Sequence, residues 1–399
     1  MAAALLLTQL TATAFGEHGG GEIGSILNCD RPVIPPRCTS VGDDLRHHVA
    51  FDDSLTDELA TALRGSMADD YGPTRLSLIA GETVTPWTDV IAYSGDYGDN
   101  GAAAWVYCPS GSVQGINRAG DRWCRHQEMH FNLNPRFGLF FDDGASRDHV
   151  ACHELGHTLG LRHWGNPPQS DGPAAATCMN TNTPNGPTTL HEFDVEHIDA
   201  YAYQAPRSPA FRLVQAPEGS AVASASTGGG LVGASEVEVP TSLASLVDVA
   251  DVVVRGRVTA VEPGRAFGPR DHALHYAAVT VSIDQLVAGR TAMASASTLT
   301  LEIPLFDGPR QLSQLRSALI DTERLMFLRN KGESAAAAGL PVDAQRDDRA
   351  FYRLVTFGSE ILNAGSQAVI PPDESGLLQR FAGMPFDDVV ASVGAVAGD

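Results

Sequence analysis

The sequence predicts an α+β protein of two domains. Three observations predict it. A helical stretch with histidines at metal-ligand spacing lies near residues 150–163, behind a series of strand-like runs. A low-complexity break of Ala, Ser, Gly and Thr covers 216–238. Short β-branched runs follow that break and carry no cysteine. The reading divides the chain into a candidate signal peptide (1–14), an extended segment (15–45), a mixed-sheet domain with the metal helix (46–206), a flexible linker (207–238) and a β-rich domain (239–399).

With 399 residues the chain is long enough for two domains, and 43% hydrophobic residues can build a sizeable core. A net charge of −21 argues against nucleic acid or an anionic membrane as partner. All six cysteines (Cys29, Cys38, Cys108, Cys124, Cys152, Cys178) lie in the first half. An even count confined to one region predicts disulfides and an oxidising compartment. Near the start, Ala2 to Leu7 is apolar and Ala12-Thr13-Ala14 suits signal peptidase. The basic segment of a secretory signal is missing, since no Lys or Arg precedes Arg31, so Met1 is left open as the true start. No other run is apolar and long enough to span a bilayer. A secreted protein is the expectation.

Taken in order, residues 15–45 are rich in Gly and Pro and read as an extended lead-in. Leu55, Leu59, Leu63 and Met67 recur at helical spacing, with Ser54 or Thr56 as cap. Strand-like runs follow at 75–79, 88–93 and 104–107. The loop from Ser94 to Asn100 offers oxygen ligands for Ca²⁺, but Asp, Asn and Gly also simply make turns, and the turn is preferred. From Glu128 to Asn134 apolar and polar residues alternate, which predicts a strand with one buried face. Ser146 or Asp148 is the expected cap of a helix running to about Leu159. A Pro/Gly/Asn-rich loop spans 164–187, and Thr189-Leu190-His191-Glu192 reads as a capping box for a helix through Tyr201. Beyond the linker, strands are predicted at 251–258, 276–283, 298–303, 324–327, 351–357 and 367–370. They suit a small barrel or sandwich, OB-like, closed by helix between Gly376 and Val393.

The chemistry concentrates in Cys152-His153-Glu154-Leu155-Gly156-His157-Thr158-Leu159-Gly160-Leu161-Arg162-His163. Four helical residues advance about 400°, so His153 and His157 project from one face and can share one Zn²⁺. Glu154 sits to the side, placed to reach a water in an open position without ligating the metal. Gly160 permits a left-handed turn that brings His163 back as third ligand. Three ligands with a fourth position open are the mark of a catalytic site.

The run His153-Glu154-x-x-His157-x-x-Gly160-x-x-His163 resembles the metzincin zinc peptidases. Thr177-Cys178-Met179-Asn180 looks like their Met-turn, and 183–201 is similar to the C-terminal helix region of matrixin-like bacterial members. The resemblance covers about residues 40–206. It implies a metzincin-like catalytic domain, one catalytic Zn²⁺ on His153, His157 and His163, and Glu154 as general base. It also implies Met179 as packing beneath the ligands, protein or peptide substrates, and a monomer. The strand ahead of the zinc helix is then expected to be an edge strand pairing with substrate backbone. The Met-turn packs under the zinc helix in this family, so a Cys152–Cys178 disulfide is expected. Cys108–Cys124 and Cys29–Cys38 are the other candidate pairs. Pro36-Arg37-Cys38 is similar to the start of a cysteine switch, but the rest is absent and the disulfide is preferred. Two other readings compete: an extracellular binding protein whose β-domain carries the function, and a metal hydrolase acting on a non-peptide bond.

Overall fold

The computed structural model describes residues 45–81, 83–109, 111–116, 122–161, 163, 176–180, 186–200, 230–289, 296–306, 308–371 and 377–398. The signal-peptide assignment, Cys29–Cys38, the linker from 207 to 229 and much of the 164–187 loop lie outside the described residues. The protein is α+β, with two mixed sheets.

The first half contributes β1 (Arg46–Phe51), α1 (Asp57–Asp69), β2 (Ser77–Gly81), β3 (Val90–Gly95), β4 (Ala102–Cys108), β5 (Val113–Ile116), β6 (Arg122–Cys124), β7 (Gln127–Asn132), α2 (Gly144–Thr158) and α3 (Glu192–Ala200). β8 (Gly230–Glu236) follows, inside the segment expected to be linker. The sheet runs β2-β1-β3-β7-β4-β8. β1, β2, β3 and β7 are parallel neighbours, whereas β4 pairs antiparallel with both β7 and β8. Thr56 caps α1 by accepting from the Leu59 amide, and the predicted stripe Leu59, Leu63, Met67 is buried against this sheet and α2.

Two expectations are corrected here. β7 lies between β3 and β4, so both its backbone edges are paired and it is no edge strand. The cap of α2 is Asp143, which accepts from the Ser146 amide at 2.7 Å, not Ser146 or Asp148. The helix thus begins a turn earlier, because an extended Asp carboxylate satisfies an amide that Ser146 itself carries.

The second half contributes α4 (Leu243–Val249), β9 (Val252–Phe267), β10 (Leu274–Gly289), β11 (Thr298–Leu305), α5 (Gln311–Leu319), β12 (Glu323–Asn330), α6 (Lys331–Ala337), α7 (Val342–Asp348), β13 (Phe351–Leu354), β14 (Glu360–Ala364), β15 (Gln367–Val369) and α8 (Phe386–Gly398). Strands β13-β11-β10-β9-β12 are consecutive neighbours, and β12 also pairs β13, closing a five-stranded circuit. Val254, Val261, Val279, Leu301 and Met326 fill a core within these strands. A second apolar cluster packs α4 and α8 with Val253, Leu325 and Phe327 of β9 and β12.

The two halves meet at a packed seam. Tyr97, Trp105 and Tyr107 join Leu274, Tyr276 and Phe357 in one buried cluster. The Tyr276 hydroxyl donates to the Tyr97 carbonyl at 2.8 Å. Beside it, Arg353 bonds Asp99 at 2.7 Å and reaches Glu238 at 2.8 Å, while Arg136 bridges Asp99 and Asp348.

Candidate metal centre

The centre is built on α2. Its C-terminus unwinds at Gly160, whose φ of 88° is left-handed, and the Gly160 amide donates to the His157 carbonyl. The chain turns there, and His163 comes back towards His153 and His157. The three Nε2 atoms lie 2.9 to 3.0 Å from one another.

The other ring nitrogens decide what those Nε2 atoms are. His153 Nδ1 is 2.7 Å from the Cys178 carbonyl oxygen, and His157 Nδ1 is 2.8 Å from that of Leu161. A carbonyl only accepts, so each Nδ1 carries the proton and each Nε2 a lone pair. Two lone pairs then face each other at 3.0 Å with no proton to share. Burial, and after it the neighbouring His157 and His163, hold the His153 pKa well below 6.5, so adding a proton is no remedy. A cation is. Among the described residues, His153, His157 and His163 are the one group of three or more His, Cys, Asp or Glu that can hold a metal ion. Glu154, on the same turn as His153, is fully buried.

The support beneath is dense. A Cys152–Cys178 disulfide joins the helix to the turn carrying Met179, and a Cys108–Cys124 disulfide joins β4 to β6. A Cβ at Gly156 would meet Met179 Sδ at 2.3 Å and Tyr71 Oη at 2.8 Å, so only glycine lets Met179 lie so close under the helix. Thr177 Oγ1 donates to Asp194 of α3, which also accepts from the His191 amide. His191, not Thr189, accepts from the first turn of α3, its Nδ1 taking the Phe193 amide at 3.3 Å.

Two contributors were not foreseen. Tyr71 donates to the Cys152 carbonyl at 2.7 Å, at the peptide just before His153. The signal was present, since Tyr71 continues the stripe 59, 63, 67 by four more residues. His149 sits one turn ahead of His153 and is 2% exposed. Its Nδ1 lies 2.6 Å from the Pro187 carbonyl.

The Ser94–Asn100 loop is a turn whose oxygens are already used. Asp96 accepts from the Gly98 amide and Asn134, Asn100 from the Ala102 amide, and Asp99 from two arginines. At Asp99 the counter-charge comes from Arg136 and Arg353. No helix among the described residues is long and apolar enough to cross a membrane. Neither the known protein-family models nor the curated proteins contain a match to this chain.

Proposed function

We propose that this protein is a secreted zinc-dependent endopeptidase of the metzincin type. The observation that carries the reading is the pair of Nδ1-protonated imidazoles, His153 and His157, whose Nε2 lone pairs converge with His163 beside a buried carboxylate. The nitrogen donors of His153 and His157, with His163 as the third of the group, fit Zn²⁺. The two disulfides fit an oxidising, extracellular setting.

When bound, zinc supplies Lewis-acid polarisation of the scissile carbonyl and lowers the pKa of the attacking water. The remaining work falls to the chain. Glu154 accepts the proton of the attacking water and delivers it to the leaving amine. The Cys178 and Leu161 carbonyls keep the histidine tautomers fixed through the cycle. Met179 is packing and takes no part in proton transfer. The sequence of strands β9-β10-β11-β13-β12, with α5 between β11 and β12, supports an OB-like reading of the second half.

Casein zymography tests the function. Clearing is expected with added Zn²⁺, and its loss with a chelator and in Glu154→Gln. Chelator-insensitive clearing, or clearing by a zinc-loaded Glu154→Gln protein, overturns the assignment.

A further inference from the structure

The two edges of β4 are paired very differently. Towards β7 the register runs unbroken from Ala104–Phe131 to Tyr107–Glu128. Towards β8 it shifts twice, between Ala102 and Ala104 and again between Val106 and Tyr107. Each shift interrupts the ladder of hydrogen bonds. The sequence of β8, Gly-Leu-Val-Gly-Ala-Ser-Glu, is also a poor strand former, with Gly, Ala and Ser in four of seven positions. Its C-terminal end is nevertheless pinned. Glu236 accepts from the Phe357 amide at 2.6 Å, and the Val237 amide donates to the Gly101 carbonyl at 2.9 Å. Glu238 then takes two bonds from Arg353. β8 is the last strand of its sheet, and it packs against α2, the helix that carries His153 and His157.

We propose that β8 is a built-in competitor of the substrate: it covers the edge of β4 on which an extended peptide would lie beside α2, and the peptide enters when residues 230–235 peel away from β4. This rests on the endopeptidase reading. Cleavage requires a peptide held extended beside the metal-bearing helix. Sheets accept extended peptides as an added strand at an edge. Beside α2 that edge belongs to β4, and β8 occupies it in antiparallel register. A broken ladder and a weak strand sequence make β8 easy to displace. The anchors at 236–238 keep it close, so it competes through local concentration and not through strong pairing.

The test compares wild type with a released and a locked form of the full chain. Leu231→Pro with Val232→Pro releases β8: consecutive strand amides point to opposite sides, so one of the two prolines removes a donor to β4. Ala104→Cys with Ser235→Cys locks it, since these positions face each other across the two strands. Bound zinc, kcat and KM on a generic peptide are measured for each, with wild type under the same reductant as control. Hydrogen exchange of the β4 amides that face β8 is read in parallel, with and without a synthetic peptide of sequence 230–236. The released protein is expected to keep stoichiometric zinc and kcat within about twofold, with KM lowered about tenfold, as for an edge free in about one wild-type molecule in ten. Its β4 amides should exchange faster, and the added peptide should slow them again and compete with substrate. The locked protein should lose at least about tenfold in kcat/KM when oxidised and regain it on reduction. Faster exchange with unchanged KM overturns the proposal, and faster exchange with raised KM shows that substrate pairs with β8 itself, which also overturns it. If the prolines leave exchange unchanged, the locked protein decides: full activity when oxidised overturns the proposal, and its loss upholds it. Zinc-loaded wild-type and released proteins that cleave no peptide refute the reading of function, and the competitor role falls with it, while exchange still reports whether β8 leaves β4.

Discussion

Two of the polar clusters buried among the described residues are built on opposite principles. At the seam between the halves, Asp99 sits between Arg353 and Arg136, and Glu302 sits between Arg265 and Lys331. Burial alone would raise the Asp99 pKa, but the two arginines overcome it and hold the carboxyl well below the usual carboxylate range. Each charge there meets an opposite charge. At α2, the neighbours are alike: three imidazoles whose Nε2 atoms converge, two of them with lone pairs directed at one another. That cluster is held from outside, by carbonyls and a disulfide, in an arrangement its members would not choose. Self-neutralised burial marks a structural joint. Enforced crowding of like groups marks a place prepared for something else.

The largest effect that can break this contrast is on catalysis. On the proposed reading Glu154→Gln should retain zinc and lose about 10²–10⁴ in kcat, because the base would be gone while the ligands stay. Metal content by mass spectrometry alongside turnover decides it. Near wild-type turnover at full zinc would make the α2 cluster structural after all. Next is the cluster's dependence on its cation. Zinc at about a thousand times its Kd should stabilise the fold by about 4 kcal/mol, and chelation should remove that. In His163→Ala the zinc-dependent increment in Tm should largely vanish. An undiminished increment would show that the ligand set is wrong.

The seam should respond in the opposite way. Arg353→Met leaves Asp99 and Glu238 short of a buried counter-charge, which should cost about 3–5 kcal/mol with zinc content unchanged. Chemical denaturation with and without chelator separates the two effects. A seam variant whose loss of stability disappears on chelation would mean that the clusters are coupled. A chain ending at Gln215 would lack β8 and uncover Trp105 and Tyr107, so poor solubility is expected of it.

How legible each cluster was follows from how local it is. The histidine cluster is written in eleven consecutive residues, because helical periodicity and one glycine turn suffice to bring its members together. The seam joins Asp99 to Arg353 across 254 positions, and nothing near either residue announces the other. Asp99 reads as turn chemistry, which it also is. β8 escaped for a different reason. Its Gly, Ala and Ser composition has low strand propensity, and only pairing with β4 makes it a strand. β9 runs further than expected because Pro263 and Gly264, a turn signal in sequence, are absorbed by a register shift against β10. A Cβ on Gly264 would come within 2.9 Å of the Tyr276 carbonyl, so that glycine serves close strand approach and not a turn.

The smallest predicted effect separates a buried histidine that has nothing to ligate from the three that converge. His47 of β1 is fully buried beneath α2, with Nε2 2.9 Å from Thr158 Oγ1. The Thr158 hydroxyl spends its proton on the Leu155 carbonyl at 2.7 Å, so Nε2 must be the donor and Nδ1 holds the lone pair. That Nδ1 is buried with no hydrogen-bond partner among the described residues. Protonating it would put an uncompensated charge in the core. Burial, with a smaller push from His48, accordingly lowers the His47 pKa from 6.5 to about 4. Between those values the unfolded chain binds the proton and the folded one does not, so stability rises with pH across the window and falls as acid is added. The full difference amounts to about 3 kcal/mol at roughly 1.4 kcal/mol per unit, complete once the pH falls to about 4. His47→Gln keeps an amide donor for Thr158 and removes the titration. Denaturation at pH 7 and pH 4, both with chelator so that metal release does not contribute, gives the comparison. The acid-induced loss should be about 3 kcal/mol smaller in His47→Gln than in wild type. Equal losses would mean that His47 finds a counter-charge or water on protonation, and that this histidine too sits in a site prepared for a cation.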